Sequence, residues 1–188
     1  MQIDRVAFRN IMAQFGAAVS VVTTEGAAGR CGFTCTAVCS VTDDPATILA
    51  CLNRTSLMNA VFKSNGVFCV NVLGAGQEDL SAVFAGQTGI SMADRFAQDR
   101  WDTLVTGAPA LRDAVGALDC TISDIQECGT HTILFGRVAS VRLDALRDSL
   151  VYFNRQYHAL PVAPTGSQQD PLALASVSCS TSRVTRCG

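Results

Sequence analysis

Residues 114–143 read AVGALDCTISDIQECG and then THTILFGRVASVRL, two long apolar-rich runs that meet at Gly129. Long runs rich in β-branched residues and parted by a single glycine predict a hairpin, which commits the centre of the chain to antiparallel pairing. Shorter segments repeat the signal. AVSVVTTE (18–25) and GFTCTAVCSV (32–41) flank a glycine-rich turn and read as another hairpin, ATILACLN (46–53) and GVFCVNVL (66–73) read as single strands, and residues 150–153 as an edge strand. Helical spacing occurs only in short pieces. Phe8, Ile11, Met12 and Phe15 follow a possible cap at Asp4, Ser56 stands near the start of a segment running to Lys63, and 77–84 forms a third. The stretch to Asp99 reads as a long polar surface connection, and Pro109 as a turn. Six or seven strands with only short helices between them favour a closed antiparallel barrel over a βαβ sheet.

Size and charge narrow the functions open to such a chain. Its 188 residues suffice for one domain with a real core, and 48% apolar against 16% charged residues argues against disorder. The formal charge is −2 with no basic block, so the electrostatic source of phosphate-backbone binding is missing and nucleic acid is not an expected partner. No apolar stretch reaches the ~20 residues that cross a bilayer, and Asp4, Arg5 and Arg9 interrupt the N-terminal segment. The expectation is a soluble, cytoplasmic protein without a membrane partner. Residues 161–188 turn to Pro, Ser, Thr and Gln and predict a disordered tail after a domain spanning 1–160.

Nine cysteines, an odd number behind no signal peptide, read as reduced thiols rather than a disulfide framework. Cys31, Cys35 and Cys39 lie in an extended stretch, where residues four apart are separated by ~13 Å, too far for one tetrahedral zinc. No metal is expected. A Rossmann turn is absent, and a P-loop is excluded because Lys63 is the only lysine and is not preceded by glycine. Cysteine, serine and two histidines supply parts for a nucleophilic pair, but no G-x-S-x-G elbow accompanies them. What remains is a grouping of hydroxyls and amides at strand ends: Thr34, Thr36 and Ser40 on one, Asn53 and Ser56 on the next, Asn71 and Gln77 on a third. Brought to one rim they would offer neutral donors to a phosphate and a polar heterocycle. Ordinary turn chemistry accounts for the same residue types.

GFTCTAVCSVTDDPATILACLNRTS (32–56), FCVNVLGAGQEDLSAVFAG (68–86), the RF pair at Arg95 and Phe96, and GTHTILFGRV (129–138) resemble, in order and densely, the short-chain NAD(P)H:flavin oxidoreductases with an FMN-binding split-barrel fold. These include reductase components of two-component flavin monooxygenases, among them those serving 4-hydroxyphenylacetate hydroxylation and pyrimidine degradation. The resemblance spans about residues 8–160 and departs at Cys35, where a smaller residue is expected.

That resemblance implies a mainly β, Greek-key split barrel with short flanking helices, forming a homodimer. It further implies reduction of FMN or FAD by NADH or NADPH, with the reduced flavin passing to a partner monooxygenase. Thr36, Ala37, Val38, Ser40 and Val41 would follow the flavin ring, and Cys51, Leu52, Asn53 and Ser56 the ribityl chain and phosphate. Asn71, Val72, Leu73 and Gln77 would line the same pocket, Arg95 would offset phosphate charge, and Tyr157 would stack on a nicotinamide or adenine. His131 is implied as the catalytic residue beside the nicotinamide, orienting it or offsetting charge while the cofactors carry the hydride. The alternatives are a split-barrel protein that binds flavin without turnover, and a thiol redox sensor, which the absence of a CxxC pair disfavours.

Overall fold

The computed structural model describes residues 3–97, 100–144 and 146–163. The tail expected at 161–188 therefore lies almost wholly outside the described residues. In chain order the elements are α1 (Arg5–Met12), β1 (Ala17–Ala18), β2 (Ser20–Thr24), β3 (Cys31–Cys35), β4 (Val38–Asp43), β5 (Ala46–Asn53), α2 (Met58–Asn65), β6 (Val67–Val72), α3 (Glu78–Phe84) and α4 (Met92–Arg95). The remainder is β7 (Trp101–Thr103), β8 (Pro109–Leu111), β9 (Gly116–Cys128), β10 (His131–Leu143), β11 (Ser149–Phe153) and β12 (Gln156–Leu160).

One antiparallel sheet in the order β3-β2-β6-β9-β10-β5-β4 forms the body. Its two edge strands are joined by Thr36 and Ala37 alone. Six inter-strand spacings would hold the edges of a flat sheet about 29 Å apart, whereas the three Cα steps from Cys35 to Val38 reach about 11 Å at most. The sheet must curl until its edges meet. They meet without a ladder: the Cys35 thiol of β3 donates to the Cys51 carbonyl of β5 at 3.7 Å, while the Cys51 N–H, donating to the Ala37 carbonyl at 3.1 Å, continues the β4–β5 pairing. This is a split barrel, and the expected single strand over 32–41 is in fact two strands on opposite sides of the split.

Period-2 alternation fills the barrel. Ile48, Ala50 and Leu52 of β5 and Leu134 of β10 point inward to Val22, Phe33, Phe68 and Val70. Helix α2 plugs one mouth with Phe62, packed edge to face on Phe33 at 5.3 Å. Gly136 is required here, because a Cβ at that position would lie 2.3 Å from Cζ of Phe68. A second core, with Val19, Leu73, Phe84, Leu111 and Leu150, lies beneath α3 and the three-stranded sheet β1-β11-β12.

Three further expectations are corrected. The segment after α3 is more than surface loop, since α4, capped by Ser91, delivers Phe96 into a ring cluster with Phe84 and Trp101. Pro109 begins strand β8 rather than a turn, because its carbonyl accepts from Thr23 Oγ1 and proline has no N–H to lose. β11 is the centre of its sheet and not an edge, flanked by β1 and by β12, which the sequence did not announce. Helix α1 forms as expected, with Asp4 accepting from Val6 and Ala7 N–H, but its apolar face stays exposed.

Candidate active site

The site grows from the register of three strands. β10 pairs with β5 so that His131 stands opposite Asn53, Thr132 opposite Leu52 and Ile133 opposite Cys51. β4 pairs with the other side of β5, with Val38 opposite Ala50, which sets Ala37 beside Cys51. Because Leu52 and Thr132 point into the barrel, alternation turns Cys51, Asn53 and His131 to the outer face. Ala37, Cys51, Asn53 and His131 thus share one rim, where β5 ends, β10 begins and the split runs.

His131 follows a two-residue turn in which Gly129 takes φ +55°, the conformation for which glycine is suited at the first turn position. Its side chain is exposed, with Nδ1 2.9 Å from the Thr130 hydroxyl, a contact that occupies one ring nitrogen and leaves Nε2 without a hydrogen-bond partner among the described residues. Asn53 accepts at Oδ1 from both the N–H and the hydroxyl of Thr55 at 2.9 Å, and its Nδ2 has no partner among the described residues. Ser56 accepts from Met58 N–H at the entrance to α2. A cleft of about 480 Å³ lies here, lined by Asn53, Arg54, Thr55, Gly129 and Thr130. Burial pushes the Cys51 thiol above its ordinary range, with Cys39 and Cys128 adding to the shift, so the Cys51 side chain is a neutral thiol rather than a thiolate.

Thr36 belongs to two further hollows around the split. One, of about 200 Å³, includes Thr34, Ser81, Tyr152 and Tyr157, where the Tyr157 hydroxyl and Ser81 Oγ are 2.9 Å apart. The other, of about 330 Å³, lies under α1 and includes Arg9, Phe15 and Arg155. Tyr157 lines the first of these and not the cleft beside Asn53.

Other expected site residues are placed elsewhere. Leu52 is interior, Val38 packs partly on the core, and Ser40 and Val41 are exposed further along β4 at its bulge. Asn71 is fully buried: its Oδ1 accepts from Leu111 N–H at 2.7 Å and its Nδ2 donates to the Val21 and Pro109 carbonyls at 3.0 and 3.3 Å. Leu73 is likewise buried, Val72 is partly buried within β6, and Gln77 accepts from Gly74 N–H and donates to the Asp113 carbonyl. These residues bind the loop after β6 to the rest of the chain, and the polar side chains Asn71 and Gln77 are spent in doing so. Arg95 donates from Nε to the Ile90 carbonyl at the end of α4.

Arg54 and Tyr152 were missed. Arg54 had a signal, a cation directly after a strand end in NRTS; Tyr152 had none, because it arrives from β11, remote in sequence.

A small split barrel with a rim of hydroxyl, amide, thiol and imidazole groups, and no glycine-rich phosphate loop among the described residues, belongs to the class that offers a small molecule a concave polar site at the barrel's mouth. Residues 12–161 match the flavin reductase like domain, and this chain belongs to that family. It is 50% identical over 159 residues to the FMN reductase (NADH) RutF of Pseudomonas syringae pv. syringae, covering 85% of this chain and 88% of that one. Among solved structures, a flavin reductase from Haemophilus somnus 129PT superposes with a TM-score of 0.80 at 42% identity, covering 84% of this chain and 100% of the other. The NADH:FAD oxidoreductase of Streptomyces globisporus, in complex with NAD and FAD fragments, gives 0.76 at 30% identity, covering 87% and 96%.

Proposed function

We propose that this chain reduces FMN with NADH at the rim formed by Ala37, Cys51, Asn53 and His131, and that the reduced flavin leaves for a partner monooxygenase. The observation that carries the reading is the shared outer face of those four residues on β5, β10 and the split. The donor set fits the group. Ala37 is small enough for a ring to approach the backbone, Asn53 has an amide N–H₂ to give, and Ser56 a hydroxyl. Arg54, with its side chain 52% exposed, adds a cation at the cleft. When both nucleotides are bound, the chemistry supplied is hydride transfer from dihydronicotinamide to flavin. The chain's part is to hold the two rings and exclude alternatives, with His131 orienting the nicotinamide through the ring nitrogen that Thr130 leaves open.

FMN over FAD and NADH over NADPH are favoured because relatives at about half identity are named FMN reductase (NADH), while the FAD-linked neighbour is at 30%. The exposed apolar face of α1, with Phe8 and Ile11 and with Phe15 just past its end each more than half exposed, supports a homodimer in which a second copy covers it. Among the described residues no helix is long and apolar enough to cross a membrane. Absorbance at 340 nm tests the activity. NADH should be oxidised only when flavin is supplied, with kcat/KM at least about tenfold above that for NADPH, equivalent to ~1.4 kcal/mol. No flavin-dependent loss with either nucleotide would leave binding without turnover.

A further inference from the structure

The hairpin tip that carries His131 is clamped by groups drawn from the end of β5, from α2 and from β9. From the end of β5, Arg54 donates its backbone N–H to the Thr130 carbonyl at 3.0 Å and its Nη1 to the Gly129 carbonyl at 3.2 Å, so it grips both turn residues. From inside the barrel, the buried Thr132 hydroxyl accepts from Asn59 Nδ2 of α2 at 2.8 Å and donates to the Glu127 carboxylate at 3.0 Å. Glu127 closes the frame. It accepts from Lys63 Nζ at 2.5 Å and lies 2.9 Å from Arg54 Nε. The Lys63 hydrogen bond holds its carboxyl below the usual range, so the charge that gathers these groups is present at neutral pH.

The partners come from separate elements. Lys63 and Asn59 lie on α2, Arg54 just past β5, Thr132 on β10 and Glu127 on β9, all beside a two-residue turn that would otherwise fray. Glu127 stands opposite Thr132 in the ladder and immediately before Cys128, the ladder partner of His131. Side chains of the ion pairs are 34–52% exposed, and pairs so open to solvent add little to folding stability. Position is what they can supply, since a displacement of about 1 Å in a reacting complex costs on the order of a hundredfold in rate.

We propose that Glu127 is a positioning residue for hydride transfer: gripped by Lys63, Arg54 and Thr132, it fixes the β9–β10 tip so that His131 is presented to the nicotinamide. This rests on the role given to His131 above. It makes Glu127 important to rate without contact to either nucleotide.

A double-mutant cycle on the full chain supplied with FMN tests this, reading anaerobic single-turnover flavin reduction at saturating NADH. Glu127→Ala should slow reduction about 5- to 20-fold, leaving the FMN dissociation constant within about twofold. In a His131→Ala background the same substitution should change the rate by less than about twofold, because its effect passes through the imidazole. An equal fold-loss in both backgrounds, or a wild-type rate in Glu127→Ala, would overturn the proposal and leave His131 in place. A wild-type rate in His131→Ala would overturn the role of His131 and this inference with it.

Discussion

Asn53 and Asn71 both sit near the ends of apolar strands, in ACLN and CVNV, and the sequence treats them alike. The fold separates them. Asn71 lies at no measurable exposure beneath β8, its amide divided between the Val21 carbonyl of β2 and the Pro109 carbonyl and Leu111 N–H of β8. Asn53 stands exposed at the rim opposite His131, using Oδ1 for the local turn at Thr55 and keeping Nδ2 unengaged among the described residues. A buried amide with its bonds made is a structural bolt, whereas an exposed amide with a free donor beside a cleft is available to a ligand. The difference is one of topology. β8 folds over the end of β6, and among the described residues no strand folds over the end of β5.

That contrast predicts opposite phenotypes. Asn71→Ala should cost about 3–4 kcal/mol of stability, because the Leu111 N–H is left buried without an acceptor and several bonds vanish together. Thermal unfolding should shift down by about 10 °C, while flavin affinity of the folded fraction stays near wild type. A Tm within ~2 °C of wild type would show that the interior tolerates the loss and would blur the distinction. Asn53→Ala should do the reverse, raising the flavin dissociation constant about 5- to 10-fold, roughly 1–1.4 kcal/mol, with Tm nearly unchanged. An unaltered flavin titration would reduce Asn53 to the turn-former that its Thr55 bonds already make it.

The strands were legible because apolar runs bounded by turn residues announce them. Residues 46–53 form such a run behind Asp43, Asp44 and Pro45, and 114–143 divide at the glycine that turns the chain. The local cap at Asp4 was legible too. Illegible was anything set by strands far apart in sequence. The break at Thr36–Ala37 carries no turn signal, since it arises where a curled sheet brings its edges together. The short strands β8 and β12 contain Pro109 or follow Asn154 and Arg155 at positive φ, and propensity argues against them. For the site, residue types at the β5 and β10 ends were read correctly as polar strand ends. Whether a given end was covered depended on neighbours that composition does not reveal, which is why Asn71 and Gln77 were grouped with Asn53.

We propose that the flavin site lies at the β4–β5–β10 rim and not at the β6–α3 junction. Amide NMR shifts on titration with FMN distinguish the two places. Perturbations should centre on residues 36–38, 51–56 and 129–132, with 71–77 little changed. Perturbations centred on 71–77, with the rim silent, would contradict it.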